Sequence, residues 1–403
     1  MPVRRLRRLS HRYVYRPLRQ FLFVCCVVGG VWANGPENTG LSDAEMRSLL
    51  AAAEPTWLFT GSASTALGYN DNILLSSIDP VGRAFGRLNV DSLLWHVPRG
   101  RIDYFAFLNG SYTRYSQRVL DETGNVIDHK SEAFGGIEWR FKQPDWLVVT
   151  GDLQGYALDE VFDLTNLTGK RDVENLDVRG AKVGPTVRWL PWKWLWLEGN
   201  ATLDRQKFAG GLNDATIHDA AARLALKPTA WVELRGEVSE RHRAFTQRHP
   251  YDPNLRDFDA GLLAITERAR DVRLTTTVGH ARHWVLASTV GVSTYSDNAL
   301  GDLDFHDRHA REEIDWTAGK WTVHAEGAAR HKSYDNQTVG FGNNLPAQIK
   351  DEYDAQLRVE KKVSSAWPVF VEYSWERTRS NDDQIASYRS NEGLLGARWS
   401  WEK

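Results

Sequence analysis

Apolar and polar residues alternate with period two along much of this 403-residue chain. This is the spacing of a strand that shows one face to an apolar surrounding and the other to water. From Ala133 to Phe141 the odd positions are Ala133, Gly135, Ile137, Trp139 and Phe141, and the even ones include Glu138 and Arg140. Val232, Leu234, Gly236 and Val238 alternate with Trp231, Glu233, Arg235 and Glu237. Val323, Ala325, Gly327 and Ala329 alternate with His324, Glu326, Ala328 and Arg330, and Tyr353, Ala355, Leu357 and Val359 with Asp354, Gln356, Arg358 and Glu360. The runs reach about 12 to 15 residues, whereas a soluble sandwich has shorter strands and turns about every 8 to 12 residues. The pattern therefore predicts strands that cross a hydrocarbon layer.

A bulky aromatic stands at the foot of one run after another: Trp57, Tyr104, Trp146, Trp194, Trp231, Trp284, Trp321 and Trp367, at intervals of 37 to 53 residues. Each interval has room for a strand out, a loop, a strand back and a turn. The eight feet predict an all-β, antiparallel up-and-down transmembrane β-barrel of about 16 strands, with a range of about 14 to 18, over residues 57–403. The uncertain stretch is Trp231 to Trp284, where Asp257 to Ala269 and Val272 to Ala281 read as either one strand or two. Compact turns sit just before the aromatic feet: Pro98-Arg99-Gly100, Gln143-Pro144-Asp145, Pro191-Trp192-Lys193, Lys227-Pro228-Thr229 and Ala318-Gly319-Lys320. Polar connections run from Gln117 to Lys130, Phe162 to Glu174, Gln247 to Leu255, Asp297 to Asp304 and Asp335 to Lys350. In such barrels short turns face the periplasm and long loops face outward, so both termini are expected on the periplasmic side.

Two short motifs add to the pattern. Gly396-Ala397-Arg398-Trp399-Ser400-Trp401 resembles the C-terminal recognition signal of bacterial outer-membrane β-barrels, although the chain runs on through Glu402 and Lys403 and Leu394 occupies a position that is usually polar. Gly68-Tyr69-Asn70-Asp71-Asn72 resembles the Gly-Tyr-Asp/Asn-Asp-Asn motif of a loosely defined group of such barrels. Tyr295-Ser296-Asp297-Asn298, Tyr334-Asp335-Asn336 and Ser380-Asn381-Asp382-Asp383 echo it. Members of that group are often linked to exopolysaccharide or capsule loci. The resemblance implies polysaccharide handling in the envelope, with polysaccharide export components as partners, and carries no catalytic residues.

Composition changes the picture at the N-terminus. Seven arginines between Arg4 and Arg19, no acid, an apolar run from Phe21 to Val31 and Val31-Trp32-Ala33 predict a signal peptide over residues 1–33, cleaved before Asn34. Arg7-Arg8 lies far from the apolar run for a twin-arginine signal, and bulky Val24 or Cys25 disfavours a lipoprotein. Residues 34–56 then form a periplasmic segment with a short helix, in which Ser42 and Glu45 have capping-box spacing and Met46, Leu49 and Leu50 share a face. Cys25 and Cys26 are the only cysteines, so the mature chain has none and needs no disulfides. Without the seven arginines it carries 43 basic and 52 acidic residues, which argues against nucleic acid as a partner. Mean hydropathy is negative, as a barrel allows, because only alternate residues meet lipid.

The inward charges are the candidate lumen-lining residues: Glu138, Arg140, Lys182, Arg188, Glu233, Arg235, Glu237, Glu326, Arg330, Arg358, Glu360, Glu372, Glu376 and Arg398. Buried charge without a partner is costly, so these groups meet either water or each other. Their mixed sign argues against strong ion selectivity. At the outer rim stand Asn70, Asp71, Asn72, Asp297, Asn298, Asp335 and Asn336. They suit either Ca²⁺ or the opening of a loop, where Asn and Asp bond their own backbone. His306 and His309 are three apart and would point to opposite faces of a strand, which rules out convergence on a metal. His324 and Glu326 share an inward face, but no spacing marks a nucleophile and base, so the expectation is no enzyme, no catalytic residue, no metal and no cofactor. The expected function is a passive channel or export conduit for polar solutes in the bacterial outer membrane. The alternative is a closed barrel that serves as a scaffold or docking partner for envelope machinery. Expected partners are outer-membrane lipid and lipopolysaccharide, and the barrel-assembly machinery.

Overall fold

The computed structural model describes residues 57–402 apart from 74, 76–79, 97–100, 121–125, 143, 145, 164–172, 210, 212, 249–250, 253–256, 259–263, 281–282, 299–303, 340–344, 365–366 and 382–386. The expected signal peptide and the helix near Ser42 lie outside these residues. Among the described residues strands are the only regular elements: β1 (Trp57–Asn70), β2 (Arg83–His96), β3 (Ile102–Leu120), β4 (Val126–Lys142), β5 (Leu147–Asp163), β6 (Val173–Trp192), β7 (Leu195–Phe208), β8 (Ala215–Thr229) and β9 (Val232–Phe245). There follow β10 (Tyr251–Asp252), β11 (Asp257–Phe258), β12 (Thr266–His280), β13 (Trp284–Asp297), β14 (Phe305–Ala318), β15 (Trp321–Thr338), β16 (Ala347–Lys362), β17 (Pro368–Ser380) and β18 (Tyr388–Glu402).

Sixteen of these strands form one closed barrel in which each pairs antiparallel with its neighbour and β1 pairs with β18 from Thr60↔Glu402 to Asn70↔Glu392. The uncertain stretch holds one wall strand, β12, and the extra length goes into the small β10–β11 hairpin in the loop after β9. Each aromatic foot lies within about two residues of the start of β1, β3, β5, β7, β9, β13, β15 or β17, the eight strands that lead away from the turn end. Gly319 (φ 57°) takes the left-handed position in the tight turn between β14 and β15, a conformation that costs a residue with a Cβ. At the opposite end the strands climb into what the sequence marks as loop. β3 and β4 stay paired to Leu120↔Val126, and β15 and β16 to Thr338↔Ala347, each across a register shift.

The period-two pattern becomes the two faces of the wall. Leu67, Leu395, Val290 and Val292 are exposed on the outer face, at 75%, 62%, 55% and 55%. Their neighbours in sequence point inward, where charged side chains are half-buried or buried. Two apolar patches also sit on the inner face. Ala66, Phe85, Phe370 and Leu394 cluster beside the β1–β18 seam, which explains an apolar residue at position 394. Tyr295, Phe305 and Tyr334 cluster toward the loop end.

Candidate functional site

The inner wall is a sheet of charge. Arg188 on β6 lies 2.6 Å from Glu198 on β7, which is 2.6 Å from Arg223 on β8. Arg223 reaches Glu237 on β9 at 2.8 Å, Glu237 reaches Arg273 on β12 at 3.0 Å, and Arg273 reaches Asp271 at 3.0 Å. His309 on β14 stands 3.7 Å from Asp271. From Arg188 to Asp271 the sign alternates at each step, so charges that would be costly alone are compensated. On the far side of the seam Glu372, Arg358, Glu360 and Arg398 form a second chain at 3.1, 3.3 and 2.5 Å, with the Arg358 guanidinium over the Phe370 ring at 3.7 Å.

Nearer the loop end, Tyr156 Oη donates to Asp204 at 2.9 Å, Gln206 Nε2 donates to Tyr156 Oη at 2.7 Å, and Arg243 donates to Gln206 Oε1 at 3.2 Å and lies 3.5 Å from Glu267. Arg330 meets Asp307 at 2.9 Å, and Arg311 meets Glu326 at 2.7 Å. At the outermost reach of β4, well above the apolar belt, His129 Nδ1 lies 2.7 Å from Asp128. That hydrogen bond holds the Asp128 carboxyl below its ordinary range. None of the ion pairs named here joins strands more than two places apart around the wall.

The fourteen lumen candidates all fall on the inner face, opposite the exposed apolar side chains. Glu138 pairs with Arg140 at 3.1 Å, Glu233 with Lys227 at 3.0 Å, and Glu376 accepts from Tyr388 Oη at 2.5 Å. Lys182 stands across the β6–β7 ladder from Asp204, and Arg235 across the β8–β9 ladder from Ala225. Arg188, Glu237, Glu326, Arg330, Arg358, Glu360, Glu372 and Arg398 belong to the groups above. The sequence reading missed the hubs Glu198, Arg223 and Arg273. They obey the same alternation, but their outward neighbours Gly199, Ala222 and Val272 include small residues that weaken the apolar signal.

Several of the rim residues clasp the backbone of neighbouring strands. The amide of Asn391 donates to Asp71 Oδ1 at 2.6 Å and its Nδ2 donates to Oδ2 at 2.5 Å, joining residues 320 apart in sequence. Asn70 Oδ1 accepts from the Asn72 amide at 2.8 Å and Asn70 Nδ2 donates to Glu392 at 3.2 Å. Asn72, only 1% exposed, donates to the Arg389 carbonyl at 2.9 Å. A Cβ on Gly68 would stand 2.5 Å from the Phe85 ring, so the motif's glycine makes room for that ring against the seam. Asn298 accepts from the Thr266 amide at 2.7 Å and donates to the Ala264 carbonyl at 3.2 Å. Asn381 repeats this clasp on Ile349 and Ala347 at 2.9 and 2.7 Å. Asp297 and Asp335 accompany Asp304: the Asp297 amide donates to its side chain and the Asp335 amide to its carbonyl. Asn336 is exposed beyond them.

The histidines divide as the alternation requires: the His306 side chain is 67% exposed, whereas that of His309, on the inner face, is 15% exposed. Glu313, Asp315 and His324 bring potential ligand atoms within 4.8 Å of one another on the inner wall at the turn end. Arg311 lies 3.5 Å from Glu313, placing a competing cation there. The stacked pair Tyr295 and Phe305, 5.1 Å between centroids, is buried with Tyr334 and offers no open ring face.

Fold and wall together define a closed antiparallel barrel of 16 strands with an apolar exterior belt and a charged interior. OccAB4 of Acinetobacter baumannii shares this fold at a TM-score of 0.50 and 9% identity, over 87% of this chain and 99% of that one. OccK1 (OpdK) of Pseudomonas aeruginosa aligns at 0.48 and 10%, covering 85% and 99%. A bacterial polysaccharide outer membrane secretin aligns at 0.41 and 8%, covering 86% and 98%. No family model and no curated protein matches the chain.

Proposed function

We propose that the protein is a passive conduit for polar solutes in the bacterial outer membrane. The observation that carries this reading is the direction of the ion pairs. Each pair described above lies along the wall, within one strand or between strands at most two apart, and leaves the axis unbridged by it. Sixteen strands enclose a bore wide enough for water. A wall of alternating charge in that bore keeps water and hydroxyl-rich solutes solvated while favouring neither ion sign. The location is supported by the outer belt: apolar residues bounded at the turn end by Trp and Tyr, as at a membrane interface. Polysaccharide as cargo is supported by the resemblance carried by Gly68 to Asn72.

The test is solute-driven swelling of liposomes that hold the purified barrel. Sugars from a monosaccharide upward are expected to enter at rates that fall with size. Liposomes that respond like protein-free ones to every solute would overturn the reading in favour of a closed scaffold.

A further inference from the structure

We propose that the outer face of β6, β7, β8, β9 and β12 holds a phosphorylated, acylated glycolipid of the outer leaflet, lipopolysaccharide. Its phosphates would meet a basic patch at the loop end and one acyl chain would lie in a trough beneath. This rests on the outer-membrane placement above, with the loops outside.

The first observation is electrostatic. Arg179, Arg205, Lys207, Arg268 and Arg270 all sit at outward positions near the loop ends of their strands and are exposed. Arg179 faces Lys207 directly across the β6–β7 ladder. His218 faces His242 across β8–β9, and His242 faces Arg268 across β9–β12. Like charges directly opposite each other weaken a sheet, so the Arg179–Lys207 pair is unfavourable until an anion covers it. Two acids accompany the patch: Asp177, 3.4 Å from Arg179, and Glu240, bonded to Arg268 and 3.6 Å from Arg270. Arg205 and Lys207 make no ion pair among the described residues.

The second observation is shape. Farther toward the turn end, three outward positions below Arg205 on β7, Gly199 forms with Ala222 and Gly236 the floor of an outer-face trough of about 650 Å³, walled by Val187, Trp189, Leu197, Leu224, Val238 and Val272. Beyond the backbone of Gly199 and Gly236 there is open space where a Cβ would stand. Val272 is the next outward residue after Arg270 on β12, so on that strand the trough reaches the patch, and on β7 Ala201 and Leu203 carry the apolar face on to Arg205. A phosphate bound above and an acyl chain in the trough is the geometry of one anionic lipid standing against the wall, and guanidinium groups suit phosphate by paired N–H donors.

The experiment measures binding of purified lipopolysaccharide to the full-length barrel in detergent, so it does not depend on where the cell places the protein. Placement is read separately, by density fractionation of membranes. Wild type is expected to bind, and the Arg205→Glu/Lys207→Glu variant to bind at least about tenfold more weakly, as the loss and reversal of two surface charges requires. Gly199→Leu, which fills the trough and spares the charges, should also weaken binding, and enzymatically dephosphorylated lipopolysaccharide should bind like the charge-reversed variant. Folding of each variant is checked by heat-modifiable mobility. If the charge-reversed chain fails to fold, Arg205→Gln/Lys207→Gln takes its place with the same expectation. Binding unchanged in folded charge variants, equal binding of the dephosphorylated lipid, or no binding by wild type would each overturn the proposal.

Discussion

The two ends of the barrel's outer face are built from the same alternate positions along the strands, yet they carry opposite chemistry. At the turn end stand Trp57, Trp139, Trp189, Trp192, Trp231, Trp284, Trp316, Trp321, Trp367 and Trp399, all substantially exposed. At the loop end the outward positions carry Arg179, Arg205, Lys207, Arg268, Arg270, Arg308, Arg379 and Arg389, again exposed. Parity along a strand decides which face a side chain joins, and height decides what that face must meet. Indole rings suit a boundary that is apolar on one side and wet on the other. A collar of cations suits an anionic surface. The asymmetry gives the barrel a direction, and it agrees with the placement of compact turns at one end and long loops at the other.

The largest expected effect comes from moving the loop-end chemistry into the belt. Val290→Arg on β13 should destabilise the barrel by about 2–4 kcal/mol and Thr294→Arg, nearer the loop end, by about 0–1 kcal/mol, measured by denaturant unfolding in lipid. Equal costs at both heights would erase the distinction between belt and collar. The seam between β1 and β18 offers the next contrast. Asp71→Ala or Asn72→Ala at the loop end removes partners from buried groups and should cost about 1–3 kcal/mol each. Ser400→Ala, at the turn end of the same seam, should stay within about 0.5 kcal/mol. A smaller effect than loss of the seam clasp is expected within the aromatic girdle. Trp192 and Trp194 stack at 5.4 Å with ring planes 10° apart. Trp192→Ala should therefore lower stability by about 0.5–1.5 kcal/mol, read from the same unfolding curves.

Much of this architecture was legible in the sequence, for a physical reason. A wall one residue thick between two solvents must alternate, so the period of two and the spacing of Trp57, Tyr104 and Trp146 through Trp367 report strand number and face directly. The strand ends were less legible. Above the belt both faces of β3, β4, β15 and β16 meet water, so the apolar half of the pattern fades while the pairing continues to Leu120↔Val126 and Thr338↔Ala347. Which charges pair was not legible at all. Arg223 meets Glu198 and Glu237 because of the stagger between β7, β8 and β9, and no local spacing encodes that stagger. The Asn70-Asp71-Asn72 motif shows the same limit. Its partners are Asn391, Glu392 and Arg389 at the other end of the chain, brought beside it only when the barrel closes, so from sequence a seam clasp resembles any polar rim. Leu394 looked misplaced until the fold put Phe85 and Phe370 around it.

The inside of the wall carries the central claim, that paired charges leave a water-filled bore. Single-channel recording in planar bilayers tests this most directly. The purified barrel is expected to open in reproducible steps whose conductance rises with salt concentration, with weak preference between cation and anion. A folded barrel that inserts and yet never conducts would contradict the claim.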